Sequence, residues 1–138
     1  MRYTVTLTPD DNGTLLVTVP DIPQAVTFGE DREDALTRAV DAIETALMGF
    51  IDAREPIPAP KAKGADGVSL PALSVAKIGL YEAMRAEGIG KAVLARRLGV
   101  ALPQIDRMLD LRHHSRMDAM ERALAAMGRS LSVAVLAA

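Results

Sequence analysis

A chain of 138 residues with 49% apolar, 25% charged and only 3% aromatic side chains has the composition of an ordinary folded protein and suffices for one domain or two small ones. It contains no cysteine, which excludes disulfides and thiolate metal sites and makes a reducing cytoplasm the expected compartment. No apolar run approaches the roughly 20 residues that span a bilayer, and the opening MRYTVTLTPDD alternates rather than forming a signal-peptide core.

In chain order, Tyr3, Val5 and Leu7 alternate with threonines, the period of a half-buried strand. Pro9-Asp10-Asp11-Asn12-Gly13 is turn chemistry, and Leu15, Val17 and Val19 resume the alternation, so a β-hairpin is predicted. Pro20-Asp21-Ile22-Pro23 breaks the second strand, and Gln24 to Phe28 reads as a third, ended by Gly29. Ala35, Leu36, Ala39, Val40, Ile43, Leu47, Phe50 and Ile51 then recur at helical spacing, behind Glu30, Asp31, Glu33 and Asp34, which suit the positive end of a helix dipole. Three strands and one amphipathic helix make a small α+β layer over residues 1–60.

From Pro56 the composition changes. PIPAPKAKGADG carries three prolines and two glycines, and residues 61–73 read as a linker. Within it, Val68-Ser69-Leu70-Pro71 is β-compatible, so residues 67–71 can return to the first sheet as an edge strand. Residues 74–138 read as all-α. Val75, Ile78, Leu80, Tyr81 and Met84 mark one helix that stops near Gly88 and Gly90. Lys91 to Leu98, Pro103 to Leu109 and Met117 to Met127 mark three more, with Ser115 as N-cap and Gly128 as stop of the last. The apolar tail from Leu131 to Leu136 suits a short strand or a dimer contact.

The net charge of -2 conceals an asymmetry. Residues 1–60 hold four Arg and no Lys against eleven acids, a net of -7; residues 61–73 stand at +1; residues 74–138 hold ten Lys or Arg against six acids, a net of +4. Two modules with different partners are expected. In LARRLGVALPQIDRML, Leu94 to Met108, Ala95 permits a close helix crossing, Gly99 a turn, and Leu94, Leu98, Val100, Ile105 and Met108 buried anchors. These offsets fit a helix-turn-helix whose second helix starts at Pro103, as a first helical residue needs no backbone donor. In the docking geometry of that motif, Gln104 would pair with adenine and Arg107 with guanine or a phosphate. Lys91, Arg112, His113 and Arg116 would hold phosphates. The plainer reading is a helical bundle with a glycine turn; the +4 charge favours DNA.

The acidic half offers little chemistry. Its carboxylates each have a local structural cause, no histidine precedes His113 and no serine precedes Ser69, so neither a metal site nor a serine nucleophile is expected. An acidic surface suits docking of a basic protein.

Taken together, RYTVTL, PDDNG, LLVTVPDIP, VTFGEDREDAL, AVDAIETAL and PIPAP, followed by LSVAKIGLYEAM, VLARRLGVALPQIDRMLD and RMDAMERALAAMGRSL, resemble the helix-turn-helix version of the HicB antitoxins of bacterial type II toxin–antitoxin systems. The order of the blocks covers nearly the whole chain and is more specific than any one of them. The resemblance implies a partial, degenerate RNase H-like first domain without nuclease activity. That domain would mask a small basic HicA-like toxin, an mRNA-cleaving ribonuclease. The second domain would bind operator DNA of its own operon as a homodimer or larger assembly. Neither catalysis nor a cofactor is implied. The acids Asp31, Asp34, Asp41 and Glu44 are the expected toxin-facing groups. Where family members often carry Gly-Cys after PDIP, this chain has Gln24-Ala25, so the local backbone is expected to differ. Two rivals are a one-component regulator with a small-molecule-sensing first domain, which needs an enclosed pocket, and a metal-dependent nuclease.

Overall fold

The N-terminal alternation does form extended chain, but one run of residues serves two partners. In the computed structural model, which describes residues 1–137, β1 (Arg2–Thr4) pairs antiparallel with β5 (Gly67–Ser69), placing Tyr3 opposite Val68. After Val5 the chain passes to a second sheet as β2 (Thr6–Pro9), antiparallel to β3 (Leu15–Thr18), with Leu7 opposite Val17. The switch falls at Val5, whose N–H donates to the Asp66 carbonyl at 3.1 Å. The single first strand predicted over residues 3–7 is therefore split. β4 (Val26–Gly29) completes the order β2-β3-β4 and starts two residues later than alternation predicts. The PDIP segment before it turns through hydrogen bonds from Ile22 N to Val19 O and from Ala25 N to Ile22 O, which bury Ile22 and Ala25.

Asp31 caps α1 (Arg32–Asp52), its carboxylate accepting from the Asp34 N–H at 2.8 Å. The helix buries Ala35, Ala39, Ile43, Leu47 and Ile51, one residue in every fourth, against the strands. At Gly29 a Cβ would collide with the Ala35 backbone, so glycine sets how closely β4 approaches the helix. Tyr3, Val5, Val17, Val19 and Ile22 complete this core.

The Pro-rich segment is not loose. The Tyr3 hydroxyl donates to Pro58 O at 2.6 Å, Thr4 Oγ1 to Ala62 O at 2.8 Å, and Asp21 accepts from the N–H groups of Lys61 and Ala62 at 2.9 and 2.8 Å. Prolines cannot donate, but their carbonyls still accept. Side chains of β1 and of the turn before β4 thus hold residues 58–62. Backbone pairing of β1 with β5 and the bond from the Leu70 N–H to Met1 O hold the chain as far as Leu70, and the structure divides into Met1–Leu70 and Pro71–Ala138. Residues 61–70, which composition assigns to a linker, belong to the first unit.

The second unit consists of α2 (Ala72–Glu87), α3 (Lys91–Leu98), α4 (Leu102–Leu109) and α5 (Met117–Ala125). Glycines in the left-handed conformation end α2 at Gly88 and α3 at Gly99, both with φ of 66°. Ile78, Leu80, Leu94, Ile105, Leu109, Met120 and Leu124 form the core. Ser115 does not cap α5, which begins after Arg116; its hydroxyl is engaged elsewhere. The tail to residue 137 is neither helix nor strand, and Val135 is 97% exposed.

Candidate functional site

α3, its glycine turn and α4 form the densest grouping of the sequence-predicted residues. Leu94, Ala95 and Ile105 are buried as the offsets require, whereas the other expected anchors, Leu98, Val100 and Met108, are only half-buried. The Val100 N–H returns to the Ala95 carbonyl at 3.0 Å across the left-handed Gly99. α4 begins at Leu102, one residue before the predicted Pro103. Proline is tolerated at this second position because every N–H of a first helical turn lacks an intrahelical partner. Gln104 turns back on its own helix start: Oε1 accepts from the Ala101 N–H at 3.2 Å. A bidentate adenine contact needs that same oxygen, so the predicted pairing competes with the cap.

Pro103, Gln104 and Arg107 are exposed on α4, and Arg112, His113 and Arg116 on the loop that follows. Lys91, at the start of α3, reaches α4 through a 2.7 Å ion pair with Asp106. Arg116 forks onto Asp118, with both contacts at 3.1 Å. The backbone N–H of Arg112 donates to Asp110 Oδ1 at 2.9 Å. Exposed pairs of this kind contribute about 0–1 kcal/mol, so a phosphate can compete for Lys91 and Arg116.

Sequence reasoning missed the residue that joins α4 to this loop. Lys77 of α2 is fully buried, and its Nζ donates to the carbonyls of Arg107, Asp110 and His113 at 2.8, 2.7 and 2.9 Å and contacts Ser115 Oγ at 2.8 Å. Burial pushes its pKa down to about 8, while the Asp110 carboxylate acts in the opposite direction. A signal was present. Lys77, Leu80, Tyr81 and Met84 stand at i, i+3, i+4 and i+7, so a lysine occupies a place in the apolar stripe.

In the first unit the acids divide. Asp31 is the cap of α1, and Asp34 accepts from the Glu30 N–H at 2.9 Å and from Arg38 Nε at 3.1 Å. The Glu30 backbone bond and Arg38 hold its carboxyl below the usual carboxylate range. Glu44 is half-buried and engaged, whereas Asp41 is exposed on the wall of an open groove of about 400 Å³ with Gln24, Val26, Thr27, Arg38 and Thr45. Beside it, Val26 and Phe28 of β4 are 52% and 49% exposed. Among the described residues, no group of three His, Asp or Glu is arranged to hold a metal ion. Nor, among the described residues, is any helix long and apolar enough to cross a membrane.

An acidic α+β unit ahead of a basic four-helix unit, with cations along one helix and loop, defines a two-module protein. The family of HicB-like antitoxins of bacterial toxin–antitoxin systems matches residues 2–79. Antitoxin HicB of Pseudomonas fluorescens is 42% identical over 132 residues, covering 94% of this chain and 90% of its own. Antitoxin HicB of Escherichia coli K12 is 35% identical over 138 residues, covering 99% of this chain and all of its own. A crystal structure of the N-terminal domain of the Burkholderia pseudomallei antitoxin HicB is 26% identical, with a TM-score of 0.45, and covers 51% of this chain and 99% of its own. The chain belongs to the HicB antitoxin family; its members are antitoxins rather than enzymes.

Proposed function

We propose that the chain neutralises a cognate HicA-like ribonuclease toxin through its first unit and represses its own operon by binding operator DNA through its second. The antitoxin half rests on family membership over the residues of the first unit. The α+β unit is then a degenerate RNase H-like domain whose role is masking, and Asp41 with the neighbouring groove is its best-presented acid. Asp31 and Asp34 contribute to docking only through what their caps leave exposed.

The observation that carries the DNA half is α3–Gly99–α4 with Arg107 exposed on the second helix and Arg112, His113 and Arg116 on the next loop. It is the helix-turn-helix arrangement, with α4 as the recognition helix. Because the cap engages its oxygen, Gln104 is assigned one donated bond from its amide rather than a bidentate adenine pair. Two copies of α4 in a homodimer would reach two half-sites and gain avidity, and the exposed tail ending in Val135 and Leu136 is the proposed contact between copies.

The test is Arg107→Ala in the full chain. At fixed salt, affinity for duplex spanning the upstream region of the chain's own gene should fall by about 1–3 kcal/mol, with toxin binding unchanged. An unaltered gel shift removes Arg107 from the recognition face.

A further inference from the structure

We propose that Lys77 is a positioning residue for DNA binding: its ammonium, sealed beneath the end of α4, fixes how Arg107, Arg112, His113 and Arg116 are presented. This rests on the operator-binding reading above.

The end of α4 differs from those of α2 and α3. Those two helices close on a left-handed glycine, Gly88 and Gly99. α4 leaves through Asp110 in an extended conformation, with φ of -88° and ψ of 109°. Its last carbonyls therefore lack the usual glycine cap. Lys77 takes that place from another helix: Arg107 O, Asp110 O, His113 O and Ser115 Oγ all lie 2.7–2.9 Å from Nζ. Ser115 extends the link, its hydroxyl lying 3.4 Å from Arg107 O and 3.1 Å from His113 Nδ1.

One amine thus ties the last turn of the recognition helix to both ends of the loop bearing the phosphate-facing cations. The loop from Asp110 to Arg116 is neither helix nor strand. Its own turns bond the His113 N–H to Asp110 O and the Ser115 N–H to His113 O, Leu111 is buried, and the bonds to Nζ fasten that loop to α2. Among the described residues, the partners of Nζ are three carbonyls and a hydroxyl and no carboxylate; the Asp110 carboxylate accepts from the Arg112 backbone N–H, a further bond within the same loop. An apolar side chain at position 77 with a glycine cap on α4 would bury no charge. The arrangement found serves the path of the loop instead.

Lys77→Met and Lys77→Arg in the full chain are compared with the wild type by two readouts. These are amide hydrogen exchange and affinity, at fixed salt, for duplex from the upstream region of the chain's own gene. In Lys77→Met the amides of residues 110–116 should exchange on the order of tenfold faster while those of Leu94 and Ile105 stay protected, and affinity should fall roughly tenfold. Lys77→Arg keeps charge and donors and should recover most of both. A further measurement needs no variant: the Lys77 ammonium of the wild type should give a slowly exchanging side-chain NMR resonance, unlike the exposed Lys61 and Lys63. It decides the matter if Lys77→Met fails to fold. Unchanged loop exchange in Lys77→Met, no recovery by Lys77→Arg, or a Lys77 ammonium that exchanges as fast as Lys61 overturns the proposal. A wild-type chain that ignores the duplex overturns the operator reading, while the exchange measurements still report whether Lys77 orders the loop.

Discussion

Asp31 at the start of α1 and Lys77 in the middle of α2 are both charged groups that complete helix ends, but they do so in different media. Asp31 caps its own helix from the solvent, over three residues of chain. Lys77 caps a different helix from inside the core, across 30 to 38 residues. The first unit, with six Lys or Arg against twelve acids, has a net charge of -6. The second, with ten against six, has +4. In the first, several acids close local structure at the surface: Asp31 and Asp34 at the helix start, Asp21 on the Lys61–Ala62 backbone, and Asp66 on Arg32 at 2.7 Å. In the second, one buried cation organises the elements that carry the exposed ones. Formal charge therefore overstates the acid that the first unit offers a partner. It also hides where the second unit's geometry is decided.

The sharpest way to break the division of labour is Ile105→Ala. Ile105 is fully buried, so about 2–5 kcal/mol of the second unit's stability should be lost, read by urea denaturation. DNA binding should weaken with it and toxin binding persist. Loss of toxin binding as well would mean that the two units do not work separately.

The pH dependence of stability probes the buried cation. Between about 8, where burial holds Lys77, and its ordinary value of 10.5, the unfolded chain binds a proton that the folded chain lacks. Stability of the second unit should therefore rise with pH across that window, at up to about 1.4 kcal/mol per unit. It should level off below pH 8, where both states are protonated. Denaturation at pH 7.5 and 9.5 should show this slope in the wild type and not in Lys77→Met.

Smaller effects sort the acids of the first unit. Asp31→Ala should lower stability by about 1 kcal/mol through loss of the cap, with toxin affinity little changed. Asp41→Lys should leave the melting temperature in place and slow toxin association several-fold, more at low salt than at high. The reverse pattern, with Asp31 governing affinity and Asp41 without effect, would move the docking face to the start of α1.

Residues carry their legibility unevenly. Ala35 to Ile51, Leu94 with Ile105, and the glycine stops at Gly88 and Gly99 follow from periodicity and capping chemistry alone. The split of the first strand at Val5 does not, because alternation records which face is buried and says nothing about which partner each half pairs with. The Pro-rich stretch misleads for a related reason: composition shows what its backbone cannot donate, while Tyr3, Thr4 and Asp21 decide what binds its carbonyls and amides. Gln104 lies on an exposed helix start, as its place just after Pro103 predicts, yet its engagement with Ala101 is a rotamer choice that residue type does not reveal.

By itself the sequence determined the two modules, their opposite charges, the helices, the turns and the family, all of which rest on local chemistry or block order. Tertiary structure decided that residues 61–70 belong to the first unit, that β1 and β2 serve different sheets, and that a lysine in the apolar stripe of α2 holds the end of α4. Each depends on contacts between residues 30 or more positions apart, where an acceptor's position is set by the packing of whole elements.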